Sequence, residues 1–543
     1  MGPEAREPAW GLGGRATAAP GTALAVRVAR MGRIRLGSER LPSLLGGPAR
    51  LHVVLVLAAI VGLQSADSGA IGALAAPIEA AFHVGNTGLG LLVAASTIVG
   101  AVTCLPFGVY VDRYNRTRIL GAVAVVWGVS TALSGASSSF GMLLAIRVFQ
   151  GGMTAVIGPA LASLAGDLFP TAERSRLWSY VLTGELVGAG IGITVSGVLS
   201  GLVGWRPALS VLGIPAFLLA WAIHRYLPEP ARGGRARLHP GAVTIPTAED
   251  VGASAGISDE PPVVLEAPSE IVVQAERMGF RPYRRGVIER SDDPDIWTAT
   301  RYALRIRSND ALILASGIGY FFEQGVQTFM ELFLRERFGV GQAAASLLFV
   351  VVASGALLGV VLGGQAADRL VRTGRPTGRL VVAAVALGGV TAVFAPAMLI
   401  PSIVWAVPAL ALAAVLLGAI NPPMDTARLD VVPSFLWGRA EAIRTTIRQS
   451  LEGFAPLLFG VVSVAFGAPR SGFGAGVDTR AVQVSAASAQ GLEVAFVVFS
   501  LPMLLAGGLL WASRHPYLRD VLGARRSEER RAAPRAGSGS GAA

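Results

Sequence analysis

Long apolar runs separated by short polar breaks dominate this chain. An α-helix rises about 1.5 Å per residue, so roughly 20 apolar residues cross a ~30 Å hydrocarbon core. Runs of that order fall near 51–78, 87–109, 118–138, 141–167, 175–203, 206–226, 310–334, 343–366, 379–398, 403–431, 438–467 and 491–512. In lipid every backbone amide needs a partner within the protein, so such runs are read as helices. The expected fold is an all-α membrane protein of twelve transmembrane helices in two six-helix halves. Composition agrees: 52% of the 543 residues are hydrophobic and only 15% charged. Mean hydropathy is +0.56, above that of an ordinary soluble domain.

The rest of the chain is polar. Residues 1–49 read as a disordered Arg-rich tail, 227–309 as a connection between the halves 50–226 and 310–512, and 513–543 as a second disordered tail. Within the connection, "DIWTATRYALRIRSN" mixes Trp297, Tyr302, Leu304 and Ile306 with Arg301, Arg305 and Arg307. It is a candidate interfacial helix or a solvated linker helix. The net charge is +11, and all the basic side chains counted with it are arginine. They concentrate after spans 2, 4 and 8, at Arg113, Arg116 and Arg118, at Arg174 and Arg176, and at Arg369, Arg372, Arg375 and Arg379. Positive charge stays on the cytoplasmic side, so both termini and the connection are expected there. This accounts for the basic excess without nucleic acid. Cys104 is the lone cysteine, so neither an intrachain disulfide nor a cysteine metal site is available.

The halves repeat. Gly108, Asp112 and Arg113 recur as Gly364, Asp368 and Arg369, and the same shift carries Asp67 onto Glu323. A second block, Pro159, Asp167, Pro170 and Arg176, recurs as Pro422, Asp430, Pro433 and Arg439. Repeats running in one direction, with equal helix numbers, are related by an axis along the membrane normal.

The stretch "GVYVDRYNRTR" after span 2 carries Gly108, Asp112, Arg113 and Arg116, with Asn115 between. It resembles the major facilitator superfamily loop G-x-x-x-D-R-x-G-R-[KR]. Asn115 stands where the family has Gly, and Asn also visits positive φ. Thr117 replaces the second basic residue. The second copy, "GGQAADRLVRTGR", is stretched before Gly374 and Arg375. "RVFQGG" in span 4 is similar to the family's R-x-x-q-G, giving Arg147, Gln150 and Gly151. More narrowly, "DRYNR", "ADSGAIGALAAPIEAAF" and "RAEAIRTTIRQSLEGFAPLLFG" resemble spinster-like members, which move lysophospholipids or sphingolipid phosphates. The resemblance implies that spans 1, 4, 7 and 10 face a central cavity, flanked by 5 and 11. It also implies that Gly108, Asp112, Arg113 and Arg116, with Gly364, Asp368, Arg369 and Arg375, act as a gate between the halves.

Charge inside the membrane is costly, about 2.5–3.5 kcal/mol per Asp or Arg at a helix centre, and marks function. Asp67, Glu185 and Glu323 are candidates for proton coupling. Arg147, Gln324, Arg448 and Glu452 are candidates for substrate binding, with Arg147 the unpaired cation of the first half. Arg448 and Glu452, four residues apart on one helix face, can also simply neutralise each other. Glycines at 184, 188 and 192 and at 355, 359 and 363 permit close packing, and the resemblance makes them a sliding seam between halves. The expectation is a secondary transporter working by alternating access on a small or amphipathic solute, anionic or lysolipid-like, driven by a proton gradient. It is expected to be a monomer in a bacterial inner membrane, with no cofactor, no metal and no enzymatic activity. The alternatives are drug or organic-solute efflux by proton antiport, against which the missing Gly-Pro of span 5 counts, and a non-transporting sensor or scaffold.

Overall fold

The computed structural model describes residues 47–169, 171–230, 238, 242, 244–245, 268–283, 296–433, 436–467 and 486–532. Residues 1–51 with 239–244 form one unit, and 52–238 with 245–543 form another, which carries the features below. Nineteen helices run through the described residues. In the first half they are α1 (Pro48–Ala73), α2 (Ala75–Phe82), α3 (Asn86–Arg113), α4 (Arg116–Gly135), α5 (Phe140–Thr154), α6 (Ile157–Leu168), α7 (Thr171–Val203), α8 (Trp205–Val211) and α9 (Ile214–Tyr226). The connection holds α10 (Glu270–Arg277) and α11 (Ile296–Ala303). The second half has α12 (Arg307–Phe338), α13 (Gln342–Arg372), α14 (Gly378–Leu399), α15 (Ile403–Gly418), α16 (Asn421–Val431), α17 (Trp437–Ala465), α18 (Ala486–Ala512) and α19 (Arg514–Ala532).

Ten helical segments among the described residues are long and apolar enough to cross a membrane. α12 and α17 are not among those ten, although they pack inside the same bundle. They carry the ionisable residues Glu323, Glu331, Arg444, Arg448 and Glu452. The fourth and tenth runs are each broken, at Ala155–Val156 and at Ala419–Ile420. The cause is the same in both. Pro159 and Pro422–Pro423 lack amide hydrogens, so the carbonyls one turn earlier lose their helical partners.

Two expectations change. Residues 513–543 were expected to be disordered, yet Arg514–Ala532 is helical. Tyr517, Leu518, Val521, Leu522 and Ala524 form its buried face. That stripe is short and is masked in composition by the charged run that follows it. Residues 533–543 lie outside the described residues. The stretch read as an interfacial or solvated helix buries Tyr302, Ala303 and Ile306. Tyr302 is hydrogen-bonded to Ser527 of α19, and burial pushes its phenol up to about 12. The chain itself covers this face; the Trp297 side chain lies outside the described ones.

The glycine stripes lie within halves. A Cβ on Gly188 or Gly192 would strike the α1 carbonyls of Gly62 or Ala66, and one on Gly359 or Gly363 those of Val415 or Ala419. Four-residue spacing of glycines reports that a backbone comes close, not which backbone. The two halves meet through other residues. Cβ atoms on Gly90 and Gly460 would strike the Pro456 and Asn86 carbonyls, joining α3 to α17, and one on Gly197 of α7 would strike Ser346 of α13.

Candidate functional site

Asp67 of α1 lies in a buried polar cluster. Arg147 Nη1 of α5 donates to Asp67 Oδ2 at 2.6 Å. Gln150 Nε2, one turn along α5, stands 3.1 Å from both Asp67 Oδ2 and Thr131 Oγ1 of α4. Thr131 Oγ1 is 3.5 Å from Asp67 Oδ1. Arg147 is therefore paired in this state, contrary to the expectation of a lone cation. Its remaining nitrogens, Nε and Nη2, are buried without hydrogen-bond partners among the described residues, as is Gln150 Oε1. The local sequence explains the arrangement. Arg147 and Gln150, three residues apart, share one helix face. Gly151 beside them lets α3 approach so closely that a Cβ there would strike the Ser96 carbonyl.

A second cluster joins the halves. Arg448 and Glu452 of α17 form an ion pair at 3.8 Å. The Arg448 guanidinium lies 4.3 Å from the ring centroid of Tyr320 on α12. Glu323 of α12 is 3.5 Å from Gln327 Nε2 and interacts electrostatically with Glu185 of α7, Glu452 and Arg448. The coupling candidate Glu185 and the binding candidates Arg448 and Glu452 thus share a site with Glu323. Gln324, expected to bind substrate, shows no side-chain hydrogen bond to a described residue. Beside this cluster, Arg444 Nη1 is 3.1 Å from Ser316 Oγ and 3.5 Å from Asp425 Oδ1.

At the end of the bundle that holds the predicted gate loops, each half has an arginine–aspartate clasp. Arg116 Nη1 is 2.5 Å from Asp167 Oδ2 and 2.8 Å from Ser163 Oγ. Arg116 Nε meets Glu229 Oε1 at 2.8 Å, and Glu229 Oε2 accepts the Thr117 amide at 3.0 Å. In the second half Arg379 pairs with Asp430, whose Oδ2 also accepts Tyr517 Oη at 2.5 Å. The counterpart of Arg116 is thus Arg379, not the predicted Arg375. The second repeat block carries 116 onto 379, whereas the motif spelling pointed to Arg375.

Asp368, Arg369 and Arg375 are exposed and form no ion pair with a described residue, and Arg113 is exposed. Gly364 makes an ordinary approach to Pro422. Gly108 and Asp112 lie in α3, with the Asp112 side chain outside the described ones. Asn115 does not use positive φ: it sits at φ −66°, and its Oδ1 caps α4 by accepting the Arg118 amide at 2.8 Å. On α19, two hydrogen bonds from Ser308 reach Asp520 Oδ2, at 3.1 Å from N and 2.7 Å from Oγ. Burial pushes the Asp520 carboxyl up, and these bonds pull it back.

Sequence reasoning missed Thr131, Glu229, Tyr517 and Asp520, and also Glu331 of α12. Only Glu331 had an available signal, an acid inside an apolar run. Among the described residues no group of three or more His, Cys, Asp or Glu could hold a metal ion.

The Major Facilitator Superfamily profile matches residues 57–456. The chain is 29% identical over 185 residues to the 4-hydroxybenzoate transporter PcaK of Pseudomonas aeruginosa, covering 34% of this chain and 41% of that protein. The alignment thus spans less than half the length of that relative. Among solved structures, a bacterial homolog of the human lysosomal transporter Spinster, inward-facing and unoccupied, superposes with a TM-score of 0.65 at 20% identity, covering 89% of this chain and 99% of that one. The nucleoside transporter NupG superposes with a TM-score of 0.54 at 10% identity, covering 85% and 98%.

Proposed function

The chain belongs to the major facilitator superfamily and is a multi-pass membrane transporter, not an enzyme, and from that premise we propose a proton-coupled secondary transporter working by alternating access. In this reading α12 and α17 also cross the membrane, completing twelve spans. The clasp end faces the cytoplasm, where arginine is retained, in a bacterial inner membrane. The halves are packed together at the other end, through α3 with α17 and α7 with α13, and in this reading that is the closed outer side of an inward-facing state.

The Asp67–Arg147 pair carries the reading. A buried ion pair persists only where its remaining polar atoms find partners, yet two guanidinium nitrogens here have none. An anionic substrate group would supply them. Protonating Asp67 would release Arg147 to the substrate, and ionising it would recapture the arginine, so proton and solute would exchange through one guanidinium. Glu323 and Glu185 offer a second proton site between the halves. The substrate is read as a small or amphipathic organic anion, lysolipid-like molecules included, handled by a monomer. The 4-hydroxybenzoate of the relative's name is also an anion.

The test is uptake into proteoliposomes with and without a proton gradient, screening organic anions and lysolipids. Asp67→Asn should bind substrate but lose gradient-driven accumulation, and Glu323→Gln should lower it. If both variants accumulate substrate as the parent does, the coupling reading fails.

A further inference from the structure

Glu331 is a buried carboxyl that the proposed cycle does not use. It lies on α12, two turns beyond Glu323, and is 2% exposed. Its Oε1 stands 2.6 Å from Ser346 Oγ of α13 and also accepts Gln342 Nε2. Its Oε2 is buried with no hydrogen-bond partner among the described residues.

Gln342 ties the halves together. Its Nε2 also donates to the Ala73 carbonyl at the end of α1, and its Oε1 accepts Arg335 Nη1 at 3.0 Å. The Ala73 carbonyl is open because the residue four ahead is Pro77, which has no amide hydrogen. Gly72 brings α1 onto α12 here: a Cβ on it would strike the Gln327 carbonyl. Four helices, α1 and α7 from one half and α12 and α13 from the other, therefore close around Glu331.

The donors and acceptors around Ser346 suit the protonated form of Glu331. The Ser346 hydroxyl has one hydrogen and two oxygens in range, Glu331 Oε1 and the Gln342 carbonyl at 3.1 Å. With a carboxylate, one of these contacts has no hydrogen. With a carboxylic acid, Glu331 donates to Ser346 Oγ and Ser346 donates to the Gln342 carbonyl, and both contacts are satisfied. The surroundings also disfavour the ionised form. Arg335, one turn along α12, is the cation facing it, and that cation also serves Glu79 of α2, beside Glu336. Among the described residues, α1 brings Gly72 and Ala73, α7 brings Gly197, and α13 brings Gln342 and Ser346, none of them charged. A bare carboxylate with one oxygen unpartnered is expensive to bury.

We propose that Glu331 is a proton-binding residue of the seal between the halves, carrying a proton while the seal is shut and losing it when the seal opens. This rests on the alternating-access reading, with this end of the bundle outside. Opening draws Ala73 away from Gln342 and admits water. The carboxyl then gives its proton to external water and becomes a carboxylate, and closing takes one proton back from the same side. External acidity therefore favours the shut seal, independently of the Asp67–Arg147 exchange.

The test uses the full chain in right-side-out vesicles, with Cys104→Ala and a reporter, Ser463→Cys. Ser463 is fully buried on α17 and accepts Asn86 Nδ2 at 2.9 Å across the same seal. A membrane-impermeant maleimide is added outside, from about pH 5 to 8. Rates are read as the ratio of parent to Glu331→Gln, which cancels the reporter thiol's own titration. The ratio should start near one in acid and rise by up to about tenfold per pH unit, the limit for one proton. Ser346→Ala, which keeps the carboxyl and removes its partner oxygen, should move the midpoint of the parent's profile. Gln342→Ala should label fast at every pH. A ratio that stays flat while the reporter does label overturns the proton-binding role alone. A reporter silent at every pH even in Gln342→Ala overturns alternating access at this end, and the proposal with it.

Discussion

The acid of the first half has its own arginine, and the matching acid of the second half does not. Asp67 is held by Arg147 at 2.6 Å. The first repeat shift carries Asp67 onto Glu323, but the second carries Arg147 onto Leu410, a buried apolar residue. Glu323 instead shares Arg448 with Glu185 and Glu452. The inner seams differ in the same way. α1 and α7 meet backbone to backbone at Gly62, Gly184 and Gly188. The equivalent seam of α12 and α17 is filled by phenylalanines, with Phe459 of α17 6.0 Å from Phe321, 6.4 Å from Phe322 and 6.5 Å from Phe329 of α12 between ring centroids. Duplication conserved the frame, the clasps and the helix breaks, while the interior diverged into a half with a defined ion pair and a half with a shared, aromatic-walled charge cluster. A site that must release an anion needs a cation with one dedicated competitor. Several acids around one cation titrate together and suit the sharing of a proton.

Breaking the dedicated pair should have the largest effect. Arg147→Ala strands Asp67 and Gln150 in the bundle. It also removes the cation that would meet the substrate anion, and truncating one partner of a buried hydrogen-bonded charge pair costs binding about 2–5 kcal/mol, so substrate affinity should fall by roughly thirtyfold or more. Arg147→Lys should restore only part, because an ammonium cannot reproduce the planar fork. Arg448→Ala should cost less, about tenfold in binding, since its acids can share a proton in its absence. Equilibrium binding of an identified substrate to the three purified variants tests this, and an equal loss in Arg147→Ala and Arg448→Ala would remove the asymmetry.

The seams give the next effect. Gly188→Ala pushes a methyl group onto the Gly62 carbonyl and should destabilise the purified protein by about 1–3 kcal/mol. Phe459→Leu keeps most of the volume and should cost about 1 kcal/mol. Thermal unfolding in detergent ranks them. The reverse order would mean that the aromatic wall, not the glycine contact, holds the helices in place.

The frame was legible in the sequence because it rests on quantities the sequence carries directly: run length, arginine placement and a repeat. The ion pairs were less so. Arg147 and Asp67 were each singled out, but their pairing needs the crossing of α1 and α5, which no spacing within one helix encodes. The motif's spelling leads to Arg375, whereas the arginine that pairs with Asp430 is Arg379, which only the repeat shift of the second block reaches. Tyr517 was out of reach because an α19 stripe of five apolar residues is too short to stand out beside a charged tail.

The smallest expected effect separates the two clasps. In the first half the third member is an acid, Glu229, binding the arginine. In the second it is a phenol, Tyr517, binding the aspartate. Tyr517→Phe removes one hydrogen bond to Asp430 and leaves the Arg379 pair, so the loss should be about 1–1.5 kcal/mol, or about 2 °C in the unfolding midpoint. Glu229→Gln keeps an acceptor for Arg116 and should cost no more. The informative readout is local. If the phenol latches α19 onto the bundle, Tyr517→Phe should raise amide exchange across Leu518–Leu522 while leaving α16 protected. If exchange there is unchanged, the buried apolar face of α19 suffices to dock it. The phenol would then serve only to complete the coordination of Asp430, and the second clasp would be as self-contained as the first.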